Sequence, residues 1–174
     1  MKRTKKLEST AYHEAGHAVV TIAHNVRVHS VSIIPDPDEE SLGHIKHSNP
    51  LRGIDFEWDN SIRARDRGEK LVEICMAGPI AQKRYNPKGY RHYNASSDHE
   101  EALNVLYKMS GSKEEIEAWW KLLEVRTGAL VNLKWREIEH IAEALLDRHT
   151  LTAQEIKHLY YEAFDSYLAR RRGT

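Results

Sequence analysis

The feature that most constrains this chain is a His-Glu-x-x-His motif at residues 13–17, set inside a pattern typical of an α-helix. His13 and His17 are four residues apart, so on a helix they project from one face, one turn from each other. At this spacing two imidazole rings can reach one zinc ion at bond lengths of about 2.0–2.1 Å. Glu14 lies on the neighbouring face, where it can act as a general base without being a ligand. The motif therefore predicts a helix that carries a catalytic metal site.

Gly16 lies inside this predicted helix, although glycine costs about 1 kcal/mol relative to alanine in a helix interior. We infer that another part of the chain packs close to the backbone at Gly16, beside the metal. The alternative is an amphipathic helix with two incidental histidines that bind no metal. The apolar residues of the segment do not form a face that requires histidine at these positions, which favours the metal site.

The composition excludes several classes of protein. The formal net charge is zero at pH 7, which gives no argument for nucleic-acid binding. Cys75 is the only cysteine, so an intramolecular disulfide and a cysteine-rich zinc site are both excluded. No stretch reaches the roughly 18 apolar residues needed to cross a bilayer, and the charged N-terminus lacks the apolar core of a signal peptide. We therefore expect a soluble, cytoplasmic protein that binds neither nucleic acid nor membrane.

The length predicts one domain over residues 1–174, with polar tails at residues 1–7 and 170–174. Hydrophobic periodicity predicts a mainly α fold of about six helices. The first helix follows the candidate N-caps Ser9 and Thr10 and runs to about Asn25. The later helices are predicted at about residues 60–85, with a kink or break at Gly78-Pro79, and at about 97–111, 113–126, 130–148 and from 151 onward.

Residues 28–34 alternate as in a strand, and residues 42–47 can form a second short strand. Two strands are not stable alone, so we expect a small β element of two to three strands that lies on the helices near the active site. Residues 49–59, which contain Phe56 and Trp58, form either a flap beside the site or an ordinary connection.

A catalytic zinc ion has three protein ligands and a water molecule, so the two histidines need a third ligand from elsewhere in the chain. Asp98 falls in the first turn of a predicted helix, where the helix dipole alone would favour a carboxylate. Spacing therefore leaves the third ligand open among five candidates, which are Glu73, Asp98, His99, His44 and His47.

The motif in its context, Ala-Tyr-His-Glu-Ala-Gly-His-Ala-Val at residues 11–19, resembles the zinc motif of FtsH-type peptidase domains. In these membrane-anchored AAA+ proteases the peptidase domain follows the ATPase. Further stretches match in the same order within residues 8–160, at 31–35, 41–43, 77–81, 95–102 and 145–159. The resemblance implies that His13, His17 and Asp98 bind zinc and that Glu14 is the general base.

The resemblance also implies that the second strand pairs with an extended substrate, which makes Leu42, Gly43, His44 and Ile45 the candidate substrate-binding residues. The implied activity is that of a zinc-dependent metalloendopeptidase, which hydrolyses peptide bonds of unfolded or extended protein segments through a zinc-activated water. Two positions depart from the family pattern. Gln82 stands where the family usually has glutamate, and Pro79 replaces a residue that is compatible with a helix.

The sequence has no Walker-type Gly-x-x-x-x-Gly-Lys-Ser/Thr motif, so we expect ATP-independent hydrolysis. The polypeptide substrate would be already unfolded, or a separate unfoldase or adaptor would supply it. The family forms hexameric rings to which the ATPase contributes, so a homo-oligomer is an open alternative for this chain.

Two other functions remain open from the sequence. One is a catalytically silent zinc-binding module for interaction or regulation. Trp119 and Trp120 motivate it, because adjacent residues lie about 100° apart on a helix and both cannot face one core, so one of them is partly exposed or meets a partner. The other is a regulatory peptidase of narrow specificity that cleaves one repressor. Glu14 argues against the silent module, since a purely structural site has no use for a base.

Overall fold

The computed structural model describes residues 2–35, 43–91 and 96–171, with side chains as far as residue 163. Within these ranges the chain is mainly helical and contains a small three-stranded sheet, which confirms the predicted fold class. The helices are α1 (Lys5–Ala23), α2 (Ile62–Tyr85), α3 (Ser96–Met109), α4 (Lys113–Leu133), α5 (Trp135–Arg148) and α6 (Ala153–Arg171). The strands are β1 (Val28–Ser32), β2 (His44–His47) and β3 (Thr150–Thr152). Over the described ranges, no helix has the length and apolar character needed to span a membrane.

Helix α1 begins at Lys5, earlier than the sequence predicted. Its N-cap is Thr4, whose hydroxyl accepts a hydrogen bond from the N–H of Leu7 at 3.2 Å. Ser9 and Thr10, the predicted N-caps, lie inside the helix and donate their hydroxyls to backbone carbonyls one turn earlier. The predicted start was wrong because such a hydroxyl can bond to free N–H groups ahead of it or to carbonyls behind it.

The main hydrophobic core lies between α1, α2, α5, α6 and the sheet, and Val19 and Ile141 are fully buried in it. Gly16 lies where α1 and α2 come closest. A Cβ built on Gly16 would lie 2.7 Å from the carbonyl oxygen of Ala77 and 2.7 Å from the Cβ of Ala81. The inference that another part of the chain packs against Gly16 is therefore confirmed, and the partner is α2.

Helix α2 continues through Gly78 and Pro79, where the sequence predicted a kink or a break. The predicted break is wrong. Proline removes one helical hydrogen bond, but Ala77, Gly78 and Pro79 are all buried, and their packing holds the backbone in the helix. Tertiary packing of this kind routinely overrides the low helix propensity of individual residues.

A second hydrophobic cluster, which includes Leu71, Leu106 and Leu123, lies between α2, α3 and α4. Trp119 and Trp120 are both partly buried, and both pack against this cluster. The prediction that the two rings cannot share one core is therefore wrong, whereas the predicted partial exposure is confirmed, since each ring is partly exposed. The buried stripe of a helix is commonly 100° wide or more, which is the angle between adjacent residues, so two large rings can flank the same stripe.

The boundary between α4 and α5 also differs from the prediction. Helix α4 continues past Arg126 to Leu133, and α5 begins at Trp135 rather than near Leu130. Gly128 does not end the helix, because its cost of about 1 kcal/mol is small beside the packing of the neighbouring buried turn.

The three strands form one antiparallel sheet in the order β2-β1-β3. Val31 in the central strand pairs with Ile45 on one side and with Leu151 on the other. Residues 151–152 were predicted as the start of the last helix, because Thr152 and Glu155 form a capping box. The box is present, but the residues before it pair with β1, so β3 was missed.

Candidate metal centre

Two helices bring three potential metal ligands together. His13 and His17 lie one turn apart on α1, and Asp98 lies in the first turn of α3. Nε2 of His13 is 3.1 Å from Oδ2 of Asp98, Nε2 of His17 is 3.4 Å from Oδ1, and the two Nε2 atoms are 3.0 Å apart. Ligand atoms about 2.0 Å from one tetrahedral ion lie roughly 3.3 Å from each other. The spacing and the donor set of two imidazoles and a carboxylate therefore fit a zinc ion.

Each of these histidines is oriented through its other ring nitrogen. Nδ1 of His17 donates to the carbonyl oxygen of Ile74 at 2.7 Å, and Nδ1 of His13 donates to Oε1 of Gln82 at 2.9 Å. Since both partners are oxygens that only accept, Nδ1 carries the proton in each ring. Nε2 therefore presents its lone pair to the centre, as a metal ligand must.

The residues of α2 that orient His13 and His17 lie on one face of that helix. Ile74, Gly78 and Gln82 are four residues apart and so share one face of the helix. A Cβ built on Gly78 would lie 2.2 Å from Nε2 of His17, so glycine makes room for the ring. From the sequence, Gly78 is predicted to interrupt the helix and lies in a stretch that resembles the family, whereas Gln82 departs from the family pattern. Their four-residue spacing shows in the sequence that they share a face of α2, but it does not show which helix that face meets.

The charges in the centre act strongly on one another. Burial alone would lower the pKa of His17, but the carboxylates of Asp98 and Glu14 raise it to about 9. Burial would raise the pKa of Asp98, but His17 and His13 hold it below its usual range. The site therefore favours a positive charge beside Asp98. A divalent cation can supply that charge, and its binding would release the proton.

Glu14 lies beside these ligands and is 5% exposed. Burial raises the pKa of its carboxyl, whereas the charges on His13 and His17 lower it. A Cβ built on Gly43 would lie 2.9 Å from both Cγ and Oε1 of Glu14. Gly43, the residue before β2, therefore packs close to the carboxyl group that the sequence predicts to be the base.

An open cleft of about 1210 Å³ contains the centre. His13, Glu14, His17 and Asp98 all line it, and so do three of the predicted substrate-binding residues, Gly43, His44 and Ile45. Leu42, the fourth, lies outside the described residues. In the sheet formed by the described strands, β2 is an edge strand, so one side of its backbone is open to a further strand.

The segment at residues 49–59 does not take part in the cleft. All of these residues are described, and none of them lines it. Phe56 packs against the second hydrophobic cluster, whereas Trp58 is 85% exposed. Of the two interpretations left open by the sequence, the ordinary connection is the one that the structure supports.

Glu73, one of the other candidates for the third ligand, is buried and belongs to a polar network with His24 and the half-exposed Arg126 instead. It is 3% exposed, and its carboxylate oxygens lie 3.0 Å from Nε of Arg126 and 2.6 Å from Nε2 of His24. The network joins the end of α1 to α2 and α4. Glu73 is thus outside the group of His13, His17 and Asp98.

The remaining candidates are histidines that also lie outside the group of three ligands. The ring of His99 packs edge-on against Trp120. Nδ1 of His47 donates to the backbone carbonyl of Ser48 at 2.9 Å. His44 lines the cleft but is not one of the three residues whose ligand atoms converge.

A helix with His-Glu-x-x-His and a carboxylate converging from a second helix is an arrangement typical of zinc metalloproteases. The chain is 24% identical to the ATP-dependent zinc metalloprotease FtsH of Rickettsia typhi and 23% identical to FtsH of Rickettsia prowazekii. Each alignment covers 89% of this chain but 29% of the relative, so the chain spans less than a third of the curated relatives it matches. No family model matches the chain. The similarity is distant, and it indicates a relation to this class of protease.

Proposed function

We propose that this chain is a zinc-dependent metalloendopeptidase that hydrolyses peptide bonds in unfolded or extended protein segments. The observation that carries the proposal is the convergence of His13, His17 and Asp98 beside the buried Glu14 in an open cleft. The distant similarity to FtsH, which is a zinc metalloprotease by name, supports it. In this proposal the two histidines and Asp98 hold zinc, and Glu14 is the general base.

The chemistry divides between the metal and the protein. When bound, zinc supplies Lewis acidity, which lowers the pKa of a water molecule to about 7 and polarises the peptide carbonyl. Glu14 accepts the proton as the water attacks the carbonyl carbon, and then delivers it to the nitrogen of the leaving amine. Burial suits Glu14 to this role, because a carboxylate shielded from bulk water is a stronger base than an exposed one.

The substrate binds along β2 by strand addition. Gly43, His44 and Ile45 border the cleft on an edge strand, and an extended peptide can add there through backbone hydrogen bonds. These bonds do not depend on the identity of the side chains, so they select an extended conformation rather than a sequence. Folded proteins rarely offer such a segment, which favours unfolded substrates. We place Leu42 in the same subsite from the sequence.

The test measures bound zinc and the cleavage of casein by the purified chain, without added ATP. Glu14→Gln keeps the size of the side chain but removes the base. We expect it to retain zinc and to lose at least about 100-fold in kcat. Glu124→Gln, at an exposed position of α4, is the matched control and is expected to behave as the wild type. Full activity in Glu14→Gln would contradict the assigned base.

Other outcomes would indicate the alternative functions. A wild-type chain that binds zinc stoichiometrically but cleaves no unfolded protein would be a silent zinc-binding module. If cleavage occurs, inactive Glu14→Gln can serve as a substrate trap. Many captured proteins would support broad specificity, whereas one dominant partner would indicate a regulatory peptidase.

A further inference from the structure

One histidine at the cleft has no role in the chemistry described so far. We infer that His44 is a further catalytic residue, which donates a hydrogen bond to the oxyanion that forms on the scissile peptide carbonyl. The inference rests on the proposed peptidase function and adds a residue that the metal-binding motif does not contain.

The position of His44 is fixed by the strand that carries it. His44 is the first residue of β2 and pairs with Ser32 of β1. It directly follows Gly43, whose backbone touches the Glu14 side chain, and both residues line the cleft. His44 thus flanks the point at which the proposed base meets the substrate strand.

The two ring nitrogens of His44 differ in their surroundings. Nδ1 is enclosed by protein atoms, and none of the described residues gives it a hydrogen-bond partner. An N–H on Nδ1 would have no acceptor among the described residues, and an enclosed N–H without an acceptor is less well tolerated than an enclosed lone pair, which favours the tautomer with the proton on Nε2. This tautomer is the opposite of that in His13 and His17, where Nδ1 donates to α2. His44 is therefore suited to donate from Nε2 rather than to bind a metal through it.

The reaction needs such a donor. Negative charge develops on the carbonyl oxygen as the water attacks, and hydrogen-bond donors placed at that oxygen lower the barrier. Glu14 and Asp98 are carboxylates and cannot donate when ionised. The Nδ1 protons of His13 and His17 are already bonded to α2. His44 adds an imidazole donor on the β2 side of the cleft.

The edge strand gives the substrate a path past this donor. A peptide that adds to the open edge of β2 would run along the cleft that both Glu14 and His44 line. The metal ligands lie on the helices beside Glu14, and His44 lies on the strand. The scissile carbonyl would then lie between the metal site on the helices, where it is polarised, and His44 on the sheet, which donates a hydrogen bond to its oxygen.

The experiment compares His44→Phe, which keeps a ring but removes the donor, with His44→Gln, which restores an N–H donor. We expect kcat on an unfolded protein to fall about 10²–10³-fold in His44→Phe, with KM changed less than about threefold, and to recover in part in His44→Gln. Zinc affinity is expected to be unchanged in both variants. His158→Phe, at an exposed position of α6 that does not line the cleft, is the matched control and is expected to behave as the wild type.

A second readout separates a catalytic role from a structural one. A phosphinic peptide carries a negatively charged oxygen where the oxyanion would form, and its affinity should fall with kcat in His44→Phe. The binding of an uncleaved peptide to the Glu14→Gln background should not change when His44→Phe is added.

Normal kcat and normal inhibitor affinity in His44→Phe, with Glu14→Gln inactive, would overturn this inference and leave the proposed function standing. Loss of zinc or of the fold in both His44 variants would show a structural role and would also overturn it. A wild-type chain that binds zinc without cleaving would overturn the proposed function, and the role of His44 with it.

Discussion

Replacing Gly78 with alanine tests how the metal centre is built. The new Cβ would lie 2.2 Å from Nε2 of His17 and 2.6 Å from its Cδ2 atom. Non-bonded carbon and nitrogen atoms make favourable contact at about 3.5 Å, so the imidazole ring has to move by roughly 1.3 Å. The backbone of α2 cannot give way easily, because residues 76–79 are buried on both sides of the contact.

A shift of this size exceeds the tolerance of the site. Metal-ligand distances hold within about 0.2 Å, and the hydrogen bond from Nδ1 of His17 to Ile74 would also be strained. We expect zinc affinity to fall at least about 10–100-fold, which is typical when the orientation of a ligand is lost. Overpacking costs about 1–3 kcal/mol, and alanine recovers up to about 1 kcal/mol in a helix. Gly78→Ala should therefore still fold while binding zinc poorly.

The assay titrates zinc against a chromophoric chelator and measures the free energy of unfolding of the metal-free protein in urea. Gly128→Ala is the matched control, because a Cβ at this position of α4 meets no atom within 4 Å. This control should bind zinc as the wild type does and gain about 0.5–1 kcal/mol of stability. Wild-type zinc affinity in Gly78→Ala would refute the argument that this glycine makes room for His17.

Three further results are expected. Gln82→Ala removes the acceptor that orients His13, so zinc affinity should fall about 10–100-fold. Unchanged affinity in the chelator titration would show that this hydrogen bond does not position the ring. Tyr85→Phe tests acid stability, because a hydrogen bond from the Tyr85 hydroxyl is the main reason that the pKa of Glu8 is lowered to about 2. The stabilisation from this bond is fully present above the unfolded pKa of about 4.5 and is lost as the pH falls through the folded pKa of about 2. The wild type should therefore have a higher urea midpoint than Tyr85→Phe at pH 7 and should lose most of that advantage by pH 2. A difference in midpoint that does not change with pH would contradict the proposed coupling between the protonation of Glu8 and stability. Gly16→Ala should destabilise the protein by about 1–3 kcal/mol, since its Cβ meets the backbone of α2, and a melting temperature equal to that of the wild type would show that the two helices can separate freely.

The part of the site that lies on one helix could be predicted from the sequence, because its geometry is local. The spacing of His13 and His17 determines that both rings share a face, whatever the rest of the chain does. Asp98 is about 80 residues further along the chain. Nothing in its own surroundings distinguishes a ligand from a carboxylate that stabilises a helix N-terminus, and only the resemblance selected it.

The contributions of α2 could not be predicted for a related reason. Gly78, Gln82 and the carbonyl of Ile74 act on the two histidines only because α2 packs against α1 in one register. Their four-residue spacing is visible in the sequence, but the helix they face is not. Strand β3 was missed because the capping box at Thr152 is a strong local signal, whereas the pairing of Leu151 with Val31 is a long-range contact.

The central position of β1 has a consequence for the biosynthesis of this protein. Its neighbours come from distant parts of the chain, since β2 follows it closely whereas β3 is made roughly 120 residues later. Before β3 is made, β1 and β2 have only the helices to support them, so the sheet reaches its three-stranded form only once residues 150–152 are present. A substitution in residues 150–152 is therefore expected to weaken β2 as well, although β2 and β3 are not neighbours in the sheet.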